Sequence, residues 1–144
     1  AVAYDVLLGE RDTVIAMWSE GQPPWVRWAY RAFWPQVSLG LRKLYRLRPA
    51  NVEKARASMD AALDALDARL ADGRRYLVGD TLSRADVAAC ALLSPMVVPA
   101  ERPWQPPIPM PASFEALRAP YRDRPFWRWV EARYASDRGA ALSA

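Results

Sequence analysis

One short run governs how the most apolar segment of this chain begins. Leu82-Ser83-Arg84-Ala85-Asp86 stands directly before VAACALLS, with the turn Tyr76-Leu77-Val78-Gly79-Asp80 just upstream. An α-helix leaves its first N–H groups without partners inside the helix. With Ser83 as the N-cap, its hydroxyl accepts from the N–H of Asp86, and the Asp86 carboxylate accepts from the N–H of Ser83. Asp is a shorter substitute for the usual Glu or Gln of such a box. Leu82 before the cap and Val87 inside the helix occupy the positions of a hydrophobic staple. Loss of either cap partner should cost about 1 kcal/mol, and more where a buried donor is orphaned. The run beyond has almost no polar face, which predicts a buried central helix. Cys90 inside it reads as a small core hydrophobe rather than a reactive thiol.

The other segments are helical as well. Residues 2–8 resemble the last turns of a helix stopped by Gly9. Residues 10–24 read as a connector in which TVIAMW can form a short helix, and Pro23 and Pro24 suit the entry to the next one. From Trp25 to Leu47 the pattern is helical, with Pro35 predicting a kink or a break. Trp25, Trp28, Ala29, Ala32 and Leu39 gather on one side of it, and Tyr30, Phe33, Trp34, Val37 and Leu41 on another. A helix with two apolar stripes needs two packing partners.

The segment from Asn51 to Ala71 carries Met59, Ala62, Leu63, Leu66 and Leu70 on one face. Its Asp60, Asp64 and Asp67 stand elsewhere, for solubility and ion pairing. Pro95 and Pro99 end or bend the apolar helix. The proline-rich run from Pro99 to Pro111 predicts an extended strap anchored by Trp104, with a docking motif as its alternative. A short helix around Ser113 to Arg118 precedes a last one with Asp123 as cap, Gly139 as stop, and Phe126, Trp129, Val130 and Tyr134 facing inward. The class is therefore all-α, with five or six helices.

Composition removes whole kinds of chemistry. The chain has no histidine and one cysteine. Serine–histidine and cysteine–histidine catalysis and imidazole metal sites are excluded, and so is an internal disulfide, which fits a reducing compartment. No apolar stretch is long enough to predict a membrane span. Between Glu20 and Glu53 there is no acid, while Arg27, Arg31, Arg42, Lys43, Arg46 and Arg48 all fall inside. This local patch is either a solvated basic face or a surface for anions. Nucleic-acid and membrane binding are not expected: the segment lacks the polar-versus-apolar division of an interfacial helix. Arginine's preponderance over lysine hints at a GC-rich bacterial origin.

LDALDARLADGRRYLVGDTLSRADVAACALL resembles the C-terminal helical domain of the cytosolic glutathione transferase superfamily. It has the Leu-rich helix, the Tyr-Leu-x-Gly-Asp turn, and the Ser/Thr-x-Ala-Asp opening of a buried helix. The late RPFWRWVEARY is similar to that family's final helix. The resemblance implies that 25–139 is a glutathione transferase C-terminal-like bundle, with 1–24 as a linker and the tail of a preceding thioredoxin-like domain. Residues 140–144 are expected to be a disordered tail. That preceding domain would bind glutathione as co-substrate and activate its thiol, so no catalytic residue, metal or other cofactor is assigned here. The helical domain would supply one wall of the site for an apolar electrophile. Trp25, Trp28, Tyr30 and Arg31 are the substrate contacts it implies, with core or interface packing as the alternative role of these aromatics. The basic patch could help hold anionic glutathione or a product. A cytoplasmic homodimer that conjugates or reduces apolar electrophiles is the implied protein. The alternative is a non-catalytic transferase-like module for protein assembly. The connector before Trp25, Pro35 and the proline strap depart from the family pattern.

Overall fold

The computed structural model describes residues 2–102 and 109–138. Among them every regular element is helical: α1 (Val2–Leu7), α2 (Arg11–Trp18), α3 (Pro24–Leu44), α4 (Pro49–Leu70), α5 (Arg84–Val97), α6 (Ala112–Arg118) and α7 (Pro125–Arg133). A 3-10 turn (Ala119–Tyr121) precedes α7, and a π turn (Tyr134–Arg138) follows it. The all-α class holds. Residues 2–7 and 11–18 are helical, in line with the reading of 2–8 as helix turns and of TVIAMW as a short helix, and they bring the α-helices among the described residues to seven. Trp104 and Gly139 lie outside the described residues, as do 140–144 and much of the proline strap.

The chain divides into two compact units, Ala1–Asp60 with Pro106–Leu117, and Ala61–Gln105 with Arg118–Ala144. In the first, Leu8, Val14, Ile15 and Trp34 form a buried cluster, with Leu7, Tyr30, Leu41 and Leu47 packed against it. Trp18 adds tilted or edge-on ring contacts to Tyr30 and Trp34 at centroid distances of 5.9 and 6.4 Å. Tyr30 and Trp34 of one stripe of α3 thus pack against α2, while Phe33 of that stripe stays exposed. Trp25, Trp28 and Leu39 of the other stripe are exposed too.

Pro35 neither ends nor interrupts α3. Proline has no N–H, so the carbonyl four residues earlier, on Arg31, loses its helical donor. The Arg11 guanidinium donates to that oxygen at 2.8 Å. The same device recurs at Pro95 inside α5, where the freed carbonyl of Ala91 accepts from the Ser94 hydroxyl at 3.1 Å. Helix α5 then closes on Val98 in the left-handed region, and Arg118 donates to the Val97 carbonyl at 2.8 Å.

In the second unit α7 packs on α5, and Phe126 and Val130 are fully buried. Trp129 is buried too and donates its indole N–H to the Arg75 carbonyl at 2.9 Å. The expected cap of α7 is corrected. Arg124, not Asp123, is the N-cap residue, and it offers no side-chain bond. The Asp67 carboxylate accepts from the N–H of Phe126 at 2.7 Å and from Arg124 Nε at 2.6 Å, and Asp64 takes Arg124 Nη2 at 2.7 Å. An orphan N–H at a helix start donates to any carboxylate the fold brings near it, and α4 supplies this one.

A second correction concerns α5. It was expected to be buried all round, yet Val87 and Leu92 are exposed. Its buried side carries Asp86, Cys90, Ser94 and Val97. Polar groups can occupy that side because their hydrogen bonds are met locally, which leaves the apolar residues to the other.

Candidate functional site

The four expected substrate contacts all stand on α3 but do not converge. Trp25 and Trp28 are 68% and 71% exposed. Tyr30 is half-buried against Trp18 and lines a groove of about 190 Å³ with Val26, Ala29, Phe33 and Val37. Arg31 turns away to Asp12, at 3.6 Å. The groove is entirely apolar in its lining and smaller than a pocket that would enclose a drug-sized ligand. Geometrically it is one wall. The neighbouring Phe33 and Leu39 are exposed as well, so an aromatic and aliphatic face runs along the helix without a partner among the described residues.

At the head of α5 the geometry is tight. Asp86 is fully buried. Its Oδ2 accepts from the Ser83 N–H at 2.8 Å and from the Ser83 hydroxyl at 2.5 Å, and the Asp86 N–H reaches the Ser83 Oγ at 3.4 Å. Its Oδ1 accepts from the Leu77 N–H at 2.6 Å, a contact the capping pattern does not announce. The Leu77 carbonyl in turn accepts from Arg69 Nε and Nη2 at 3.1 and 3.0 Å. One carboxylate therefore ties the helix start to the turn that precedes it. Burial pushes the Asp86 pKa up, but the Leu77 N–H and the Ser83 hydroxyl and N–H outweigh it and hold the group below its ordinary value.

Leu82 and Val87 are 49% and 56% exposed, and both line a recess of about 220 Å³ with Asp86, Cys90, Ala91, Arg133, Tyr134, Asp137 and Arg138. Asp137 accepts from Arg75 Nη2 at 3.0 Å and from the Tyr76 hydroxyl at 3.1 Å, and lies 3.4 Å from Arg133. Its carboxyl too is held low: burial opposes this, and the Arg75, Tyr76 and Arg133 contacts prevail. Burial, with the nearby Asp86 charge, pushes the Cys90 thiol up to about 11. A thiol so raised is protonated at neutral pH and is a poor nucleophile. Both carboxylates are engaged by donors, and neither is poised to take a proton at neutral pH. The recess carries structure rather than acid–base chemistry.

Sequence reasoning missed Asp67 as a cap, the Arg11 contact to the Arg31 carbonyl and the Asp137 cluster. The two in-helix prolines did signal where carbonyls would be orphaned, though not which side chain would serve them.

A family model described as glutathione S-transferase, C-terminal domain, matches residues 5–104. That span starts within α1, runs through α2 to α5 and stops short of α6 and α7. No curated protein matches the chain significantly. No solved structure does so either.

Proposed function

The chain belongs to the family of glutathione S-transferase C-terminal domains, and from that premise we propose that it is the electrophile-binding and domain-interface half of a glutathione S-transferase-like protein. The parent protein conjugates or reduces apolar electrophiles with glutathione. The observation that carries the reading is the uncovered face of α3, where Trp25 and Trp28 are mostly exposed beside the apolar groove of Tyr30 and Phe33. Exposed indoles at such density are costly in water unless something covers them. An apolar co-substrate and a second domain or subunit are what would cover them here.

In this reading the thiolate of glutathione attacks the electrophile, and the residues of this chain shape the site. Trp25 and Trp28 offer flat faces for stacking and exclude water, and the groove takes the aliphatic or aromatic body. Arg31, held by Asp12, leaves its charge at the edge. Proton removal from the thiol belongs to a preceding thioredoxin-like domain, since Cys90 and the buried carboxylates here are not suited to it.

The test uses the full-length protein. It should be retained on immobilised glutathione, and an apolar nitroaromatic electrophile should quench its tryptophan fluorescence saturably. Trp28→Ala should raise the electrophile Kd about fivefold or more with the melting temperature unchanged, because an exposed ring contributes to binding and little to folding. Absence of glutathione retention, with recovery of a stoichiometric protein partner that Trp28→Ala releases, would favour the assembly module instead. The same exposed face supports that second reading.

A further inference from the structure

The bend between α3 and α4 carries a feature that the electrophile site does not use. Arg42, Lys43, Arg46, Arg48 and Asn51 line a recess of about 470 Å³, and no carboxylate lines it. Of the four cations, only Arg42 has an ion pair among the described residues, to Asp5 at 3.9 Å. The charges of Lys43, Arg46 and Arg48 are left to solvent, and like charges gathered this closely repel one another.

The backbone holds them there at a cost. Arg46 has φ +50°, in the left-handed region that a side chain disfavours. Asn51 Nδ2 donates to the Arg46 carbonyl at 3.0 Å, and the Arg48 N–H donates to the same oxygen at 2.8 Å. Asn51 thus both lines the recess and pins the strained residue that projects into it. Cations in the last turn of α3 also complement its helix dipole, but that dipole is worth only roughly half an elementary charge. It accounts for Arg42 and Lys43 in the last turn, and not for Arg46 and Arg48 beyond it.

We propose that this recess is a binding site for a compact, multiply charged phosphate anion, separate from the electrophile wall. Three uncompensated cations match a ligand carrying about three negative charges on closely spaced oxygens. Guanidinium forks pair with phosphate oxygens two at a time, and the Lys43 ammonium adds a point charge. Glutathione, with two carboxylates and one ammonium, carries a single net negative charge and neutralises too little of the recess. An extended polyanion would use a flat stripe of cations, whereas these converge on one concavity.

Titration calorimetry of the full-length protein with inorganic tripolyphosphate tests the site, with glutathione and a short DNA duplex as comparisons. Tripolyphosphate should bind at one site per chain, more tightly than glutathione. Lys43→Gln and Arg48→Gln should each weaken it about tenfold, the loss of one charge-assisted contact. Arg46→Gly should weaken it equally while the thermal midpoint does not fall, because glycine relieves the left-handed strain as it removes the charge. Arg27→Gln, outside the recess, should leave it unchanged. The proposal is overturned by absence of saturation at millimolar tripolyphosphate or by glutathione binding as tightly. It is overturned equally if duplex binds at several sites per chain and Arg27→Gln weakens binding as much as Lys43→Gln does.

Discussion

Replacing Asp86 with alanine removes an acceptor for three donors at once: the N–H of Leu77 at 2.6 Å, and the N–H and hydroxyl of Ser83 at 2.8 and 2.5 Å. The capping half of this set is worth about 1 kcal/mol. The Leu77 contact is a hydrogen bond to a buried charge, worth about 1.5–3 kcal/mol, and its loss leaves an N–H without an acceptor beside a buried side chain. Asp86→Ala should therefore cost about 2.5–4 kcal/mol, which lowers the melting temperature by roughly 10 °C for a domain of this size. Ser83→Ala removes the cap hydroxyl, both its long bond from the Asp86 N–H and its 2.5 Å donation to the Asp86 carboxylate, but leaves the Leu77 tie intact and should cost about 1–2 kcal/mol. Urea unfolding followed by far-UV circular dichroism measures both. Equal losses of about 1 kcal/mol for the two variants would show that the tie to Leu77 contributes nothing, and the account of Asp86 as more than a cap would fail. The same experiment has a pH arm. The folded-state pKa of Asp86 lies below its unfolded value. Its contribution is complete above the unfolded value of about 4, and is lost as the pH falls through the folded value. The gap between wild type and Asp86→Ala should hold from pH 7 to about 5 and close in stronger acid.

Asp67→Ala should destabilise by about 2 kcal/mol, since it strips Phe126 of its N–H acceptor and Arg124 of a carboxylate, while Asp123→Ala should stay within about 0.5 kcal/mol. Chemical denaturation of the pair separates a cap supplied across the fold from one supplied by the adjacent residue. Arg11→Ala should cost about 1 kcal/mol, and much less in a Pro35→Ala background, where the alanine N–H restores the helical donor to the Arg31 carbonyl. A double-mutant cycle in which the two changes are additive would refute that link. Cys90, with its thiol raised to about 11, should react with a disulfide reagent at pH 8 about a hundredfold more slowly in the folded chain than after denaturation. Equal rates would mean that the thiol is not protected by the packing described.

The parts of the fold that were legible in the sequence share one property: their partners lie within a turn or two along the chain. Helix periodicity, proline at a helix start and the Ser83–Asp86 box are all local. What was not legible depends on which distant segment the fold brings alongside. Nothing near α7 marks Asp67 as its cap, because residues nearly sixty positions apart provide donor and acceptor. The misplaced expectation for α5 has the same origin. An apolar run with few polar residues reads as buried on every side, but burial is decided by where partners exist. Here the side with Asp86, Cys90 and Ser94 found them, while Val87 and Leu92 did not. The expected contacts on α3 extend that reasoning to function. Periodicity showed two apolar stripes, and the structure tells them apart: Trp34 and Tyr30 pack against α2, whereas Trp25 and Trp28 face outward. A stripe that folding leaves uncovered is where binding energy remains to be gained, which is why the outward tryptophans, rather than the buried one, are the residues whose removal should change affinity more than stability.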